Sequence, residues 1–163
     1  MIASECEKIL LDANRSDDAY TRYAYDANRK GTYLAWFRAI AKKYPSKAEH
    51  EILQDLISQY EEKGKWFAAA KSAGFLKEAV RLAKNYPCEP TTLIRATRDL
   101  KDKHPNEAVE IGLAAIEWLL KGYGYEVSNL DMMNACKETA SAAKNTAPFT
   151  QMQGKLETLI ERH

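Results

Sequence analysis

Residues 63–87, KGKWFAAAKSAGFLKEAVRLAKNYP, constrain this chain more than any other stretch. Ala68, Ala69, Ala70 and Ala73 favour helix and let a neighbouring helix come close. Gly74 interrupts the period and suits the left-handed conformation that ends many helices. Beyond it, Leu76, Ala79, Val80 and Ala83 recur at spacings of three and four, one apolar stripe, with Lys77, Glu78, Arg81 and Lys84 opposite. Pro87 stops the period. The expectation is a helical hairpin, 65–72 and 75–86, joined by a glycine turn. Two helices this short cannot bury their apolar faces alone, so neighbours of the same kind are required.

Echoes of the plan occur elsewhere. Asp18-Ala19-Tyr20, Glu78-Ala79-Val80 and Glu107-Ala108-Val109 repeat an acid–alanine–apolar step. Lys42-Lys43-Tyr44-Pro45 after Gly31 parallels Lys84-Asn85-Tyr86-Pro87 after Gly74, and His104-Pro105 is a shorter version. The spacings are unequal, so the array is degenerate.

On the residues Ala69…Gly74-Phe75-Leu76-Lys77-Glu78-Ala79-Val80 the chain resembles the tetratricopeptide-like family of helical-hairpin repeats. Pro87 cuts the second helix short, and Phe67 stands where that family has a small residue. The chain also resembles the helical C-terminal portion of uncharacterised bacterial proteins. The resemblance implies an all-α fold of about nine helices, stacked as hairpins in a short irregular solenoid. It further implies a scaffold or adaptor that binds a protein partner.

Outside the central hairpin, Ser4 and Glu7 form a candidate capping box for a helix at 6–14, with Ile9, Leu10 and Ala13 as its apolar face. Ser16 or Asp17 caps 18–29, Thr32 caps 33–44, and Ser46 with Glu49 forms a second box for 47–60. Pro90 starts 90–103, a favoured place for proline. Residues 107–121 leave only a thin polar strip, which predicts the most enclosed helix. Ser128 caps 129–145. Ala147-Pro148 breaks to a last helix at 149–161, where Met152, Leu156, Leu159 and Ile160 make a stripe.

Residues 1–163 read as one helical-repeat domain, long enough for a core, with the expectation that it is a piece of a longer protein. A net charge of +1 supplies no global field for nucleic acid. Cys6, Cys88 and Cys136 are odd in number and far apart, which fits a reducing cytoplasm and supports neither a zinc site nor a disulfide framework. No segment approaches a membrane-spanning length, so no membrane partner is expected.

Candidate sites each carry two readings. Arg22, Arg29, Lys30, Arg38, Lys42, Lys43 and Lys47 crowd residues 21–47 among Tyr23, Tyr25, Tyr33 and Trp36. They form either a phosphate-holding, base-stacking face or a solvated helix pair balanced by the acids of residues 48–62. Arg95 and Arg98 share a helix face and either clamp a partner's carboxylate or pair internally with Asp99 or Asp102. Trp66, beside Lys65, either lines a groove or fills the core. Gly122-Tyr123-Gly124-Tyr125 is a ligand loop or a helix end whose tyrosines cover the core edge. His50, His104 and His163 are scattered, and adjacent Glu61 and Glu62 point apart on a helix. No glycine loop holds phosphate and no metal-ligand spacing occurs. The expectation is no enzyme, no cofactor and no metal. The partner-binding residues expected are Arg38, Lys65, Trp66, Arg95 and Arg98. The alternative is a nucleic-acid-associated module using the basic face of residues 22–47.

Overall fold

A computed structural model describes residues 2–146 and 149–161. The fold is all-α, with ten helices and no strand among the described residues. They are α1 (Ile2–Asp12), α2 (Ser16–Ala27), α3 (Tyr33–Lys43), α4 (Glu49–Ser58), α5 (Phe67–Ser72), α6 (Leu76–Asn85), α7 (Pro90–Leu100), α8 (Pro105–Leu120), α9 (Asn129–Ala143) and α10 (Phe149–Glu161). A 3-10 turn, Lys63–Trp66, leads into α5. The chain divides into two compact units, Met1–Glu61 and Glu62–His163. The expected Ala147-Pro148 break, His163 and the Met152 side chain lie outside the described residues.

In the first unit α1 packs on α2 and α3 on α4. The Thr32 hydroxyl accepts from the Ala35 amide at 3.2 Å and starts α3 as its type and position predict. Ile52, Leu53, Leu56 and Ile57 bury one face of α4. The two capping boxes expected here do not form. α1 already begins at Ile2, so Glu7 lies in its second turn, and Ser4 instead donates to the Ala27 carbonyl at 3.4 Å. α4 begins at Glu49 behind Ala48, without a side-chain cap. Ile9, expected in the apolar face of α1, is exposed, and Glu7 is buried in its place.

In the second unit the central hairpin is present, with α5 packed on α6. Gly74 turns at φ +89°, and the Phe75 amide closes the end of α5 on the Ala70 carbonyl at 3.0 Å. The buried face of α6 is rotated from the expected stripe: Glu78, Ala79, Leu82 and Ala83 point inward. Leu82 is fully buried and Leu76 and Val80 only half-buried. Gly64 is required by close approach, since a Cβ there would meet the Pro87 carbonyl oxygen at 1.9 Å.

α8 carries more buried residues than any other helix described, as its thin polar strip predicts. It packs on α6, α7, α9 and α10, and α7 also packs on α9. Gly112 lets α8 meet α9: a Cβ there would fall 2.1 Å from the Thr139 hydroxyl. Trp118 donates its indole N–H to the Ala83 carbonyl at 2.7 Å, tying α8 to α6. Ser128 and Asp131 form the capping box that opens α9.

Candidate functional site

Two surfaces and one buried cluster concentrate the polar chemistry of the chain. The cluster belongs to the first unit. Its centre, Glu7, is fully buried in the middle of the inner stripe of α1. One carboxylate oxygen accepts from the Asn28 amide at 2.7 Å and from the Tyr44 hydroxyl at 2.6 Å. The other accepts from the Lys43 ammonium at 2.5 Å, and Lys43 also donates to the Asn28 side-chain oxygen at 3.2 Å. Asn28 stands at the end of α2, and Lys43 and Tyr44 at the end of α3, so one carboxylate holds three helices. Burial pushes the Tyr44 hydroxyl well above its ordinary value, and its bond to Glu7 adds to the effect.

Beside it, Tyr20 donates to the Asp55 carboxylate at 2.7 Å, joining α2 to α4. The Tyr20 ring meets Tyr44 edge-on at 5.2 Å, and Lys47 lies over it at 4.6 Å. Burial, then Tyr25 and Asp55, raise the Tyr20 hydroxyl far above the usual tyrosine range. Both Glu7 oxygens are occupied by donors from within the unit, so the carboxylate is committed to holding the fold. Sequence reading missed this role. The available signal was a charged residue on the inner stripe of α1, between Cys6 and Leu10.

The basic stretch of residues 21–47 is divided by the fold. Lys43 is engaged by Glu7, and Lys47 reaches Asp17 at 3.4 Å. Arg29 lies over the Trp36 ring at 5.6 Å. Arg22, Lys30, Arg38 and Lys42 are exposed. Arg38 and Lys42 are four apart on α3 and share a face. Trp36, expected among the stacking aromatics, is buried, with its indole N–H on the Tyr25 carbonyl at 2.9 Å. The ring is packed inside the unit, where a base cannot stack on it.

In the second unit, Arg95 and Arg98 are both exposed on α7. Arg98 lies 3.8 Å from Asp99, a loose pair between exposed groups, and Asp99 also meets Lys71 at 3.3 Å. Lys65 is exposed in the 3-10 turn and paired with Glu62. Trp66 departs from the groove-lining expectation: it is 0 % exposed and belongs to the core. The turn after α8 behaves as a helix end, with Gly122 at φ +74° and Gly124 at φ +116°. Tyr123 packs on the Trp118 ring at 5.7 Å, whereas Tyr125 is 81 % exposed. Val127, Leu130 and Met133 follow it, the last two 62 % and 68 % exposed. This run of apolar side chains at the start of α9 was not singled out from the sequence, since exposure depends on which face the neighbouring helices cover.

Burial raises the thiols of Cys88, to about 12, and Cys136, so neither is activated as a nucleophile. All three cysteines are free. Among the described residues no group of His, Cys, Asp and Glu is arranged to hold a metal ion, and no helix is long and apolar enough to cross a membrane. No family model, curated protein or solved structure matches the chain.

Proposed function

We propose that this chain is a helical-hairpin interaction module, a scaffold or adaptor that presents fixed side chains to a peptide or helix of a partner protein. The observation that carries the reading is the run Tyr125, Val127, Leu130 and Met133, four apolar side chains exposed within nine residues. Exposed apolar side chains at that density are characteristic of surfaces that are covered in a complex. Arg95 and Arg98, on the same unit, supply exposed cations for an acidic rim on the partner. A tetratricopeptide-like stack is the architecture we infer. Packing of α5 on α6 and α7 on α8, with α6 on α8 and α7 on α9, is the neighbour pattern that successive stacked hairpins produce. Free cysteines suit a reducing cytoplasm. The saturated Glu7 carboxylate and the two unactivated thiols favour binding over catalysis.

A second reading rests on Arg22, Lys30, Arg38 and Lys42, exposed cations of the first unit that could hold phosphates. Capture from a lysate with and without nuclease separates the two. Protein capture that survives nuclease supports the first, and loss of capture supports the second. Mobility shifts that weaken steeply with salt would support the second independently.

A further inference from the structure

α10 lies on α8 and α9. Leu156 and Leu159 are only partly buried, against a cluster that includes Val109, Leu113 and Ala142. Leu156 also reaches a second cluster containing Ile116 and Leu119. Ile160, four residues beyond Leu156 on the same stripe, remains 63 % exposed. Lys155, immediately before Leu156, meets Glu110 of α8 at 3.0 Å, and the other oxygen of Glu110 takes Lys84 at 2.7 Å.

Beneath α10, α8 and α9 hold each other through contacts it does not make. They close on the Gly112–Thr139 approach, and Lys101, just beyond the end of α7, meets Glu138 of α9 at 3.0 Å. The seam between α8 and α9 is therefore formed by other parts of the unit. It has an apolar floor for two leucines three apart and a carboxylate placed for a cation one residue earlier. α10 meets these requirements and leaves Ile160 largely exposed.

We propose that the α8–α9 seam is a helix-binding groove, occupied in cis by α10, whose partner is an amphipathic helix with the pattern Lys-Leu-x-x-Leu followed by an apolar residue. The inference deepens the interaction reading and rests on it in taking the partner to be a protein helix. Such a helix displaces α10 by making the same two leucine contacts, its lysine replacing Lys155 on Glu110. A tethered helix competes at an effective concentration in the millimolar range, so an untethered one must fit better or meet a weakened α10.

The test uses the full chain and, as probe, a fluorescein-labelled peptide of the α10 sequence, FTQMQGKLETLIE. Wild-type chain should bind the peptide weakly, and the Leu156→Asp/Leu159→Asp chain at least about tenfold more tightly, because its own α10 no longer competes. A Lys155→Glu peptide should lose about tenfold on the Leu156→Asp/Leu159→Asp chain and regain it when Glu110→Lys is added to that chain. Equal or weaker peptide binding by the Leu156→Asp/Leu159→Asp chain, with its circular dichroism unchanged, overturns the proposal. If that variant does not fold, hydrogen exchange on the wild type decides. α10 amides exchanging at least about tenfold faster than those of α8 support a displaceable helix, and equal protection overturns it. A concentration-dependent wild-type dimer, lost in the variant, would make a second copy the occupant and overturn the partner assignment. The probe is the chain's own sequence, so its failure leaves the lysate capture that tests the interaction reading unaffected.

Discussion

The Tyr44 hydroxyl donates to a Glu7 carboxylate oxygen at 2.6 Å, a bond between residues 37 positions apart in the chain. With Asn28 and Lys43 it makes one buried carboxylate the common acceptor for the ends of α2 and α3. Such a group stabilises the fold while all its partners are present and is costly when one is removed.

Glu7→Ala should therefore destabilise the chain by about 3 kcal/mol, since it strands the buried Tyr44 hydroxyl and the Asn28 amide. Glu7→Gln, which keeps acceptor oxygen but loses the charge that Lys43 meets, should cost less, about 1–2 kcal/mol. Urea unfolding measures both. A loss below about 0.5 kcal/mol for Glu7→Ala would mean the network is idle.

The α8–α9 crossing predicts a coupled pair. Gly112→Ala drives a Cβ to 2.1 Å from the Thr139 hydroxyl and should cost about 2–3 kcal/mol. Adding Thr139→Ala should return part of that loss, because the hydroxyl and methyl are then gone while the Thr139 Cβ stays 3.0 Å away. Gly64→Ala meets the Pro87 carbonyl, which no side-chain change can remove, so it should have no comparable rescue. Purely additive losses in the Gly112/Thr139 cycle would contradict the close approach.

The buried tyrosines give the pH dependence a sign. Tyr20 and Tyr44 are raised above their ordinary value of 10.0, by burial first and then by their carboxylate and tyrosine neighbours. Below pH 10 both states keep the protons, and this contribution to stability is fully present. Above it the unfolded chain releases protons that the folded chain retains, so stability falls as pH rises. Alkaline titration should show part of the tyrosinate absorbance appearing together with loss of helical circular dichroism. Smooth ionisation of every tyrosine near pH 10, with the helices intact, would contradict it.

Much of the fold was legible because helix signals are local. The Thr32 and Ser128 caps, the Gly74 turn and the thin polar strip of α8 each need only a few consecutive residues. What sequence could not show depends on distant partners. Glu7 reads as a capping residue until Asn28, Lys43 and Tyr44 surround it. The face of α6 is rotated toward Glu78 and Leu82, and Arg81 lies against the Glu78 carboxylate it helps to bury. Trp66 and Trp36 carry the same residue signal whether they line a groove or fill a core, and tertiary packing placed both inside. Arg95 and Arg98 were legible as a shared exposed face, whereas the exposed Leu130 and Met133 were not.

The claim that the chain works by binding protein is tested most directly by capture from lysate with nuclease present, comparing wild type with Leu130→Asp/Met133→Asp and Arg95→Glu/Arg98→Glu. The account predicts the same protein captured with or without nuclease, lost with the apolar pair changed and weakened with the arginine pair changed. Both variants should unfold within about 0.5 kcal/mol of wild type, since all four side chains are exposed. Capture that disappears with nuclease, or that both variants leave untouched, would contradict it.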